Sequence, residues 1–324
     1  AVVSPDGRIE LAFSAGTNLT WQVSYKGKPV IAPSQLGLEL QGQGPLGPNL
    51  RLVSATPSSA DETYRVPHGK SDPVRNRYNA LAVVLEETGR LRRILHLEAR
   101  AYDDGVAFRY RLPAQNAVRE CRLTREQTQF TLSKDGIAYP LILSGYRTSY
   151  EDNYHQLPLS ALHGDWLIAL PLLVEVPGVA WVALTEAHLE NYAGLYLART
   201  GGPRTLEARL APRADQPEIA ASGQTPLSSP WRVVMVAEEP GRLIESNLIL
   251  NLNPPSAIAD PSWIRPGKVA WPWWSGEVAR AVPSAGMNTA TIKYYTDFAA
   301  EAGLEYVLID EGWTWGGRGP DADL

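Results

Sequence analysis

The chain has 324 residues, of which 44% are hydrophobic and 20% charged, and a formal net charge of −5. This is the composition of a folded protein with room for two domains and not that of a disordered chain. No Lys/Arg cluster of the kind nucleic acid requires is present, no run approaches the roughly 18 consecutive apolar residues of a membrane span, and the single cysteine, Cys121, excludes an internal disulfide and a multi-thiolate zinc site.

From residue 1 to residue 255 the pattern is one of short strands. Segments 8–14 and 19–25 alternate apolar and polar residues, and Gly27 with Lys28 predicts the turn after them. Segments 80–86 and 91–102 predict paired strands around Glu87-Thr88-Gly89-Arg90. Asp103-Asp104-Gly105 is hairpin-turn chemistry leading into segment 105–112. Segments 122–131, 166–175, 179–185, 206–210 and 231–237 continue the pattern, and Cys121 reads as a packed residue beside one of them. Alternation broken by turn residues predicts an all-β architecture, and this many strands predicts a large two-sheet sandwich. Segment 242–247 predicts a short helix, 248–252 a short extended run, and Asn253-Pro254-Pro255 a break. Residues 256–267, rich in proline, predict a linker.

Beyond Gly267 the pattern changes. Segment 268–271 predicts a short strand that runs into Pro272-Trp273-Trp274. Asn288 or Thr289 caps a helix. Ile292, Tyr295, Phe298, Ala299 and Ala302 share one of its faces, and Gly303 is placed to end it in a left-handed conformation. Segment 305–310 predicts a buried strand ending in Asp310. Strand, helix, strand is the unit of a parallel sheet with a right-handed crossover. Residues 268–324 therefore predict the start of a (β/α)8 barrel, which takes about 250 residues when complete. The expectation is a barrel cut short within this chain.

The ten tryptophans and fourteen tyrosines against four phenylalanines form a marked bias. Trp and Tyr join a flat apolar face to a polar handle. That suits the C–H faces and hydroxyl edges of a sugar ring, although ordinary sheet packing accounts for the same bias. Four stretches are more specific: Gly-Tyr-Arg-Thr-Ser-Tyr-Glu-Asp-Asn-Tyr at 145–154, Thr-Glu-Ala-His-Leu-Glu-Asn-Tyr-Ala-Gly at 185–194, Trp-Pro-Trp-Trp at 271–274, and Tyr-Tyr-Thr-Asp-Phe-Ala-Ala at 294–300 together with 306–313. In this order, with a sandwich before and a barrel start after, they make the chain resemble glycoside hydrolase family 97 over nearly its whole length. The family includes α-glucosidases and α-galactosidases.

The resemblance implies a β-rich multidomain protein. Residues 1–255 would form a β-super-sandwich of the galactose mutarotase type, 256–267 a linker, and 268–324 the first βαβ part of the catalytic (β/α)8 TIM barrel. It implies a calcium-dependent hydrolase of terminal α-linked glucose or galactose on oligosaccharides, periplasmic or secreted, with its signal peptide removed. Two barrel carboxylates beyond this chain would perform the hydrolysis, so the 324-residue chain alone is expected to be inactive. The ending Asp310-Glu311-Gly312-Trp313 resembles the retaining, galactosidase-like branch.

The resemblance also selects residues. Glu186 closes an apolar run and sits where the family places the calcium ligand donated by its sandwich. Calcium takes roughly six to eight hard oxygen ligands, which a carboxylate suits. The plain alternative is a solvated loop glutamate, and Glu190 and Asn191 are near enough to assist. Glu151 and Asn153, with Asp152 between them, are candidates for holding sugar hydroxyls, or else a polar surface loop. Trp271 and Trp273 are candidates for stacking on sugar, because barrel active sites lie at the C-terminal ends of the strands. Strand alternation points these two the same way and Trp274 the other. Asp310 and Trp313 complete the substrate set from the second strand, and no catalytic residue is assigned.

Two other functions stay open at this point. A non-catalytic carbohydrate-binding sandwich would explain the Trp and Tyr content but has no use for half a barrel. A mutarotase-like epimerase would need a His–Glu pair in the sandwich, for which His96 and Glu98 are the candidates.

Overall fold

The structure is a computed structural model and describes residues 1–311. It falls into two compact units, Ala1–Pro255 and the part from Ser256 onward. Among the described residues no helix is long and apolar enough to cross a membrane.

The first unit is built of a nine-stranded, a ten-stranded and a four-stranded sheet with antiparallel ladders. The nine-stranded sheet starts with Val2–Val3, Ile9–Ser14, Leu19–Tyr25 and Lys28–Leu36 side by side, then recruits Gln129–Leu132, Thr205–Leu210 and Leu195–Arg199 from later in the chain. The ten-stranded sheet carries Ala180–Ala187, Trp231–Ala237, Gly105–Leu112 and Ile94–Tyr102 at its centre and ends at Leu50–Tyr64. Side-chain period sets which face is buried. Leu19, Trp21, Val23 and Tyr25 all face inward, while Gln22 between them is exposed. Trp231–Ala237 is buried throughout. Val234 and Val236 join the main core, whereas Trp231, Val233 and Met235 meet Leu248 and Leu252 on the other side. A strand apolar at every position but Arg232 is thus covered on both faces.

Aromatic rings tie the sheets together. Trp21 of the nine-stranded sheet lies 4.7 Å from Phe108 of the ten-stranded sheet and 5.4 Å from Phe130, ring centre to ring centre. Its indole N–H donates to the Gln129 carbonyl at 2.8 Å, so the one polar atom of this large side chain is satisfied.

Several expectations change. The turn after Leu19–Tyr25 is made by Lys26 and Gly27, at φ 50° and 74°, and Lys28 opens the next strand. Positive φ at both central residues is what the twist of a two-residue hairpin favours. Segment 122–131 is two strands, Glu120–Glu126 in the four-stranded sheet and Gln129–Leu132 in the nine-stranded sheet. Alternation survives the change of sheet because both strands keep a face on the same core. Segment 166–175 likewise divides into Leu167–Ile168 and Leu172–Val176, on either side of Pro171, which has no N–H for a ladder. Residues 248–252 are not extended: Leu248–Asn251 is a helical turn, and Leu248 and Leu252, four apart, cover the same outer face. The strand Leu50–Tyr64 was not foreseen. It runs 15 residues along a sheet edge with most side chains exposed, so it carries no apolar alternation.

In the second unit, Val269–Ala270 pairs in parallel with Tyr306–Val307, and the helix Thr289–Ala302 lies between them in sequence. Asn288 Oδ1 accepts the Thr291 N–H at 3.1 Å, and Gly303 at φ 66° ends the helix. Both are the caps the sequence predicts. The buried strand predicted over 305–310 is shorter and more open, with Tyr306, Leu308 and Ile309 exposed. An apolar run is buried on both faces only where layers cover both sides, and the described residues of this unit provide one helix. The first strand stops at Ala270, and Pro272–Ser275 is a turn of 3-10 helix, so strand alternation does not govern the tryptophans.

Candidate functional site

Glu186 lies inside Ala180–Ala187 rather than after it, directly across the ladder from Arg232. Arg232 Nη1 donates to Glu186 Oε2 at 2.7 Å, and the Leu195 backbone N–H donates to Glu186 Oε1 at 2.9 Å. The other side of the guanidinium forms a fork to Glu126, with Nε to Oε1 at 2.8 Å and Nη2 to Oε2 at 2.6 Å. Glu126 also accepts from the Thr128 hydroxyl at 2.6 Å and the Tyr192 hydroxyl at 3.1 Å. The Arg232 and Glu126 side chains are fully buried, and that of Glu186 is 15% exposed. Removing one partner from such a cluster leaves a buried charge unpaired, at a cost of about 3–5 kcal/mol.

The electrostatics follow from this packing. Burial opposes the Arg232 charge, but Glu126 and then Glu186 outweigh it and hold the guanidinium firmly protonated. Burial, followed by the charge of Glu126, pushes the Tyr192 hydroxyl well above its ordinary range. Two carboxylates around one guanidinium leave one surplus negative charge, and Glu186 is the member that reaches the surface.

The loop 145–154 joins the same region through Tyr196, the neighbour of Leu195. Tyr146 packs edge-on against Tyr196 at 5.1 Å, and the Tyr150 hydroxyl bonds to that of Tyr196. Burial, and then the Tyr150 hydroxyl, push Tyr196 up to about 12. Tyr150, His188 and Asn191, at φ 62°, 58° and 50°, are held in the left-handed region. For a tyrosine that conformation persists only where the surroundings over-determine it, a pattern common at functional sites. Glu151 and Asn153 are exposed on this loop, their backbone N–H groups bonded to Ser149 Oγ and Asp152 Oδ1. An open cleft of about 280 Å³ is lined by Arg125, Glu126, Tyr146 and Arg209, among others, and by neither Glu151 nor Asn153. A larger cleft of about 430 Å³, between Asp103-Asp104 and the helix Pro240–Glu245, contains none of the motif residues.

In the second unit the indole rings of Trp271 and Trp273 stack at 5.6 Å and 13°, and Trp274 packs on Trp271 at 5.4 Å. The Trp271 Nε1–H donates to Asp310 Oδ2 at 2.7 Å, so two of the selected residues are joined across the parallel strand pair. Trp273 is 46% exposed and Trp274 76%. Trp313 lies outside the described residues.

Sequence reasoning missed Arg232, Glu126 and Tyr192. The available signal was Arg232 itself, the single charge in an apolar strand, since a charge buried there requires partners. The pair His96 and Glu98 gains nothing from the structure. Glu98 is bonded to both Arg109 and Arg111, and burial, then Arg111, lower the His96 imidazole below its usual value.

Comparison with known proteins adds a second line. Residues 2–255 match the family model described as Glycosyl-hydrolase 97 N-terminal, and residues 273–324 match the one described as Glycoside hydrolase 97. A protein of Bacteroides thetaiotaomicron named retaining alpha-galactosidase is 31% identical over 338 residues, covering 96% of this chain and 50% of its own length. One of Streptomyces bingchenggensis named probable retaining alpha-galactosidase is 32% identical over 311 residues, covering 95% of this chain and 45% of its own length. The solved structure of a family 97 enzyme of Pseudoalteromonas sp. strain K8 in complex with acarbose is similar with a TM-score of 0.89 and 28% identity, over 98% of this chain and 48% of that one. The chain thus spans about half the length of the curated relatives it matches.

Proposed function

The chain belongs to glycoside hydrolase family 97, and from that premise we propose that the whole protein is an α-glycosidase that removes terminal α-linked galactose from oligosaccharides with retention of configuration. The observation that carries this reading is the 31% identity, across 96% of the chain, to a protein named retaining alpha-galactosidase. Terminal α-linked glucose is the second substrate of the same reading. Retention uses one carboxylate as nucleophile and another as acid and base, about 5 Å apart. We assign neither to the described residues and propose that both lie in the half of the relatives' length that this chain does not span. The second unit is then the start of the (β/α)8 barrel that bears them, and the protein is periplasmic or secreted.

Calcium is proposed as the cofactor, with Glu186 as the one ligand supplied by the sandwich. Charge supports this: the Glu126–Arg232–Glu186 trio carries one surplus negative charge, at a hard carboxylate oxygen. Among the described residues no group of three or more His, Cys, Asp or Glu could hold a metal, so the fit is to a single ligand. Bound calcium would polarise substrate oxygens and stabilise developing charge. The chain's own residues would do the rest. In the second unit, exposed Trp273 offers a flat face for the C–H side of a sugar and Trp271 holds Asp310 by its indole N–H. In the first unit, and separately, Glu151 and Asn153 are proposed as polar contacts to sugar hydroxyls.

The test is turnover by the full-length protein of aryl α-galactoside and α-glucoside, with the first-formed anomer followed by NMR. The expected result is α-galactoside cleavage to the α-anomer, abolished by chelation and restored by calcium. Turnover of neither substrate overturns the hydrolase reading, and turnover indifferent to chelation overturns the calcium reading alone.

A further inference from the structure

We propose that Arg232 is a positioning residue for Glu186: it fixes the direction of that carboxylate and, together with Glu126, sets the net charge Glu186 presents to a cation. The inference rests on the calcium reading above. Glu186 and Arg232 are direct cross-strand partners, so the carboxylate meets the guanidinium without a loop between them. Arg232 commits Nε and Nη2 to Glu126 and keeps Nη1 for Glu186. A planar guanidinium held by a two-point fork cannot turn without breaking the fork. The fork is itself anchored. Glu126 accepts from Thr128, whose hydroxyl lies 2.8 Å from that of Tyr110, and Tyr110 in turn accepts the Gly37 N–H at 3.2 Å. A chain of buried hydrogen bonds therefore runs through the sandwich and ends on Glu186.

Glu186 is gripped at both oxygens, by Arg232 on Oε2 and by the Leu195 N–H on Oε1. A carboxylate so held cannot swing, and its remaining lone pairs keep one direction. Partners of this kind orient metal ligands and tune their affinity. The charge balance is equally specific. Without Glu126 the guanidinium would neutralise Glu186 outright; with it, one negative charge remains for the partly exposed member.

Full-length protein stripped of metal would be titrated with calcium chloride by calorimetry, as wild type and as Glu186→Gln, Arg232→Lys and Glu126→Gln. Arg232→Lys keeps the charge but replaces the fork with a point charge that serves one carboxylate at a time. Glu126→Gln is nearly isosteric and leaves Arg232 its bond to Glu186, so the guanidinium keeps one carboxylate while the surplus charge is removed. A cooperative melt, even at a lowered temperature, qualifies either variant for the titration. Both are expected to weaken calcium binding by about ten- to a hundredfold while thermal melting stays cooperative. If Glu186→Gln weakens binding and Glu126→Gln leaves it within about twofold of wild type, as a purely structural role requires, the positioning role is overturned and the calcium reading stands. If Glu186→Gln itself leaves binding unchanged, both fall.

Discussion

Arg232 shows how a residue can be conspicuous in a sequence while its role is not. It is the single charge in Trp231–Ala237, and such a charge is buried only when paired. Its partners are 106 and 46 residues away, a separation that leaves no local pattern. Glu87 and Arg93, six residues apart, form a second pair with a buried guanidinium. Arg93 is 2% exposed and bonds to both oxygens of Glu87 and to the carbonyls of Gln43, Gly44 and Pro45. The Arg93 bond holds the Glu87 carboxyl below its ordinary value of 4.5. The folded state then takes up that proton less readily than the unfolded chain. The stability contributed is whole above the ordinary value and is lost as pH falls through the lower folded one. A Glu87→Gln variant should melt below wild type near neutral pH, and the two curves should converge as acidification passes through the lowered folded-state value. Thermal scans across that range check it; a constant offset between the curves would show that the pair carries no such linkage. Cys121 is simpler: burial pushes its thiol up to about 11, so it is an inert packed residue, as the sequence indicates.

At the scale of elements, legibility followed burial. Strands with one face in the core alternate, and segments 19–25 and 231–237 were read with their observed bounds. The edge strand Leu50–Tyr64 faces solvent and gave no such signal. Close backbone approach is likewise invisible in a sequence. Gly136 precedes the strand Ile137–Tyr139, and a Cβ there would lie 1.9 Å from the Glu175 carbonyl oxygen of the neighbouring strand. A backbone oxygen cannot yield as a side chain can. Gly136→Ala should destabilise the sandwich by about 1–3 kcal/mol or more, lowering the melting temperature by about 2–4 °C per kcal/mol. An unchanged melting temperature in differential scanning would count against the contact. Of the candidate site, the two motif stretches were legible as phrases. That the first packs on Tyr196, next to the Leu195 whose N–H binds Glu186 of the second, was not, because residues 195 and 196 lie outside both.

At the scale of the whole molecule, the sandwich depends on rings that bridge its sheets. Phe108 contacts Trp21, Phe13 and Tyr110 and is fully buried. Phe108→Ala should cost about 3–5 kcal/mol, read as a lower denaturant midpoint; a shift below about 1 kcal/mol would place the load elsewhere. The sequence by itself determined that the first unit is strand-rich, that a helix capped by Asn288 and Gly303 follows, and that the ordered motifs resemble family 97. Each rests on periodicity, capping or short phrases, which are local. Only the tertiary structure decided which sheet each strand joins, that Trp271 holds Asp310, and that Glu186 is bound to Arg232 and through it to Glu126. These are pairings between distant positions, made by the closing of a core, and no window of the sequence contains both partners.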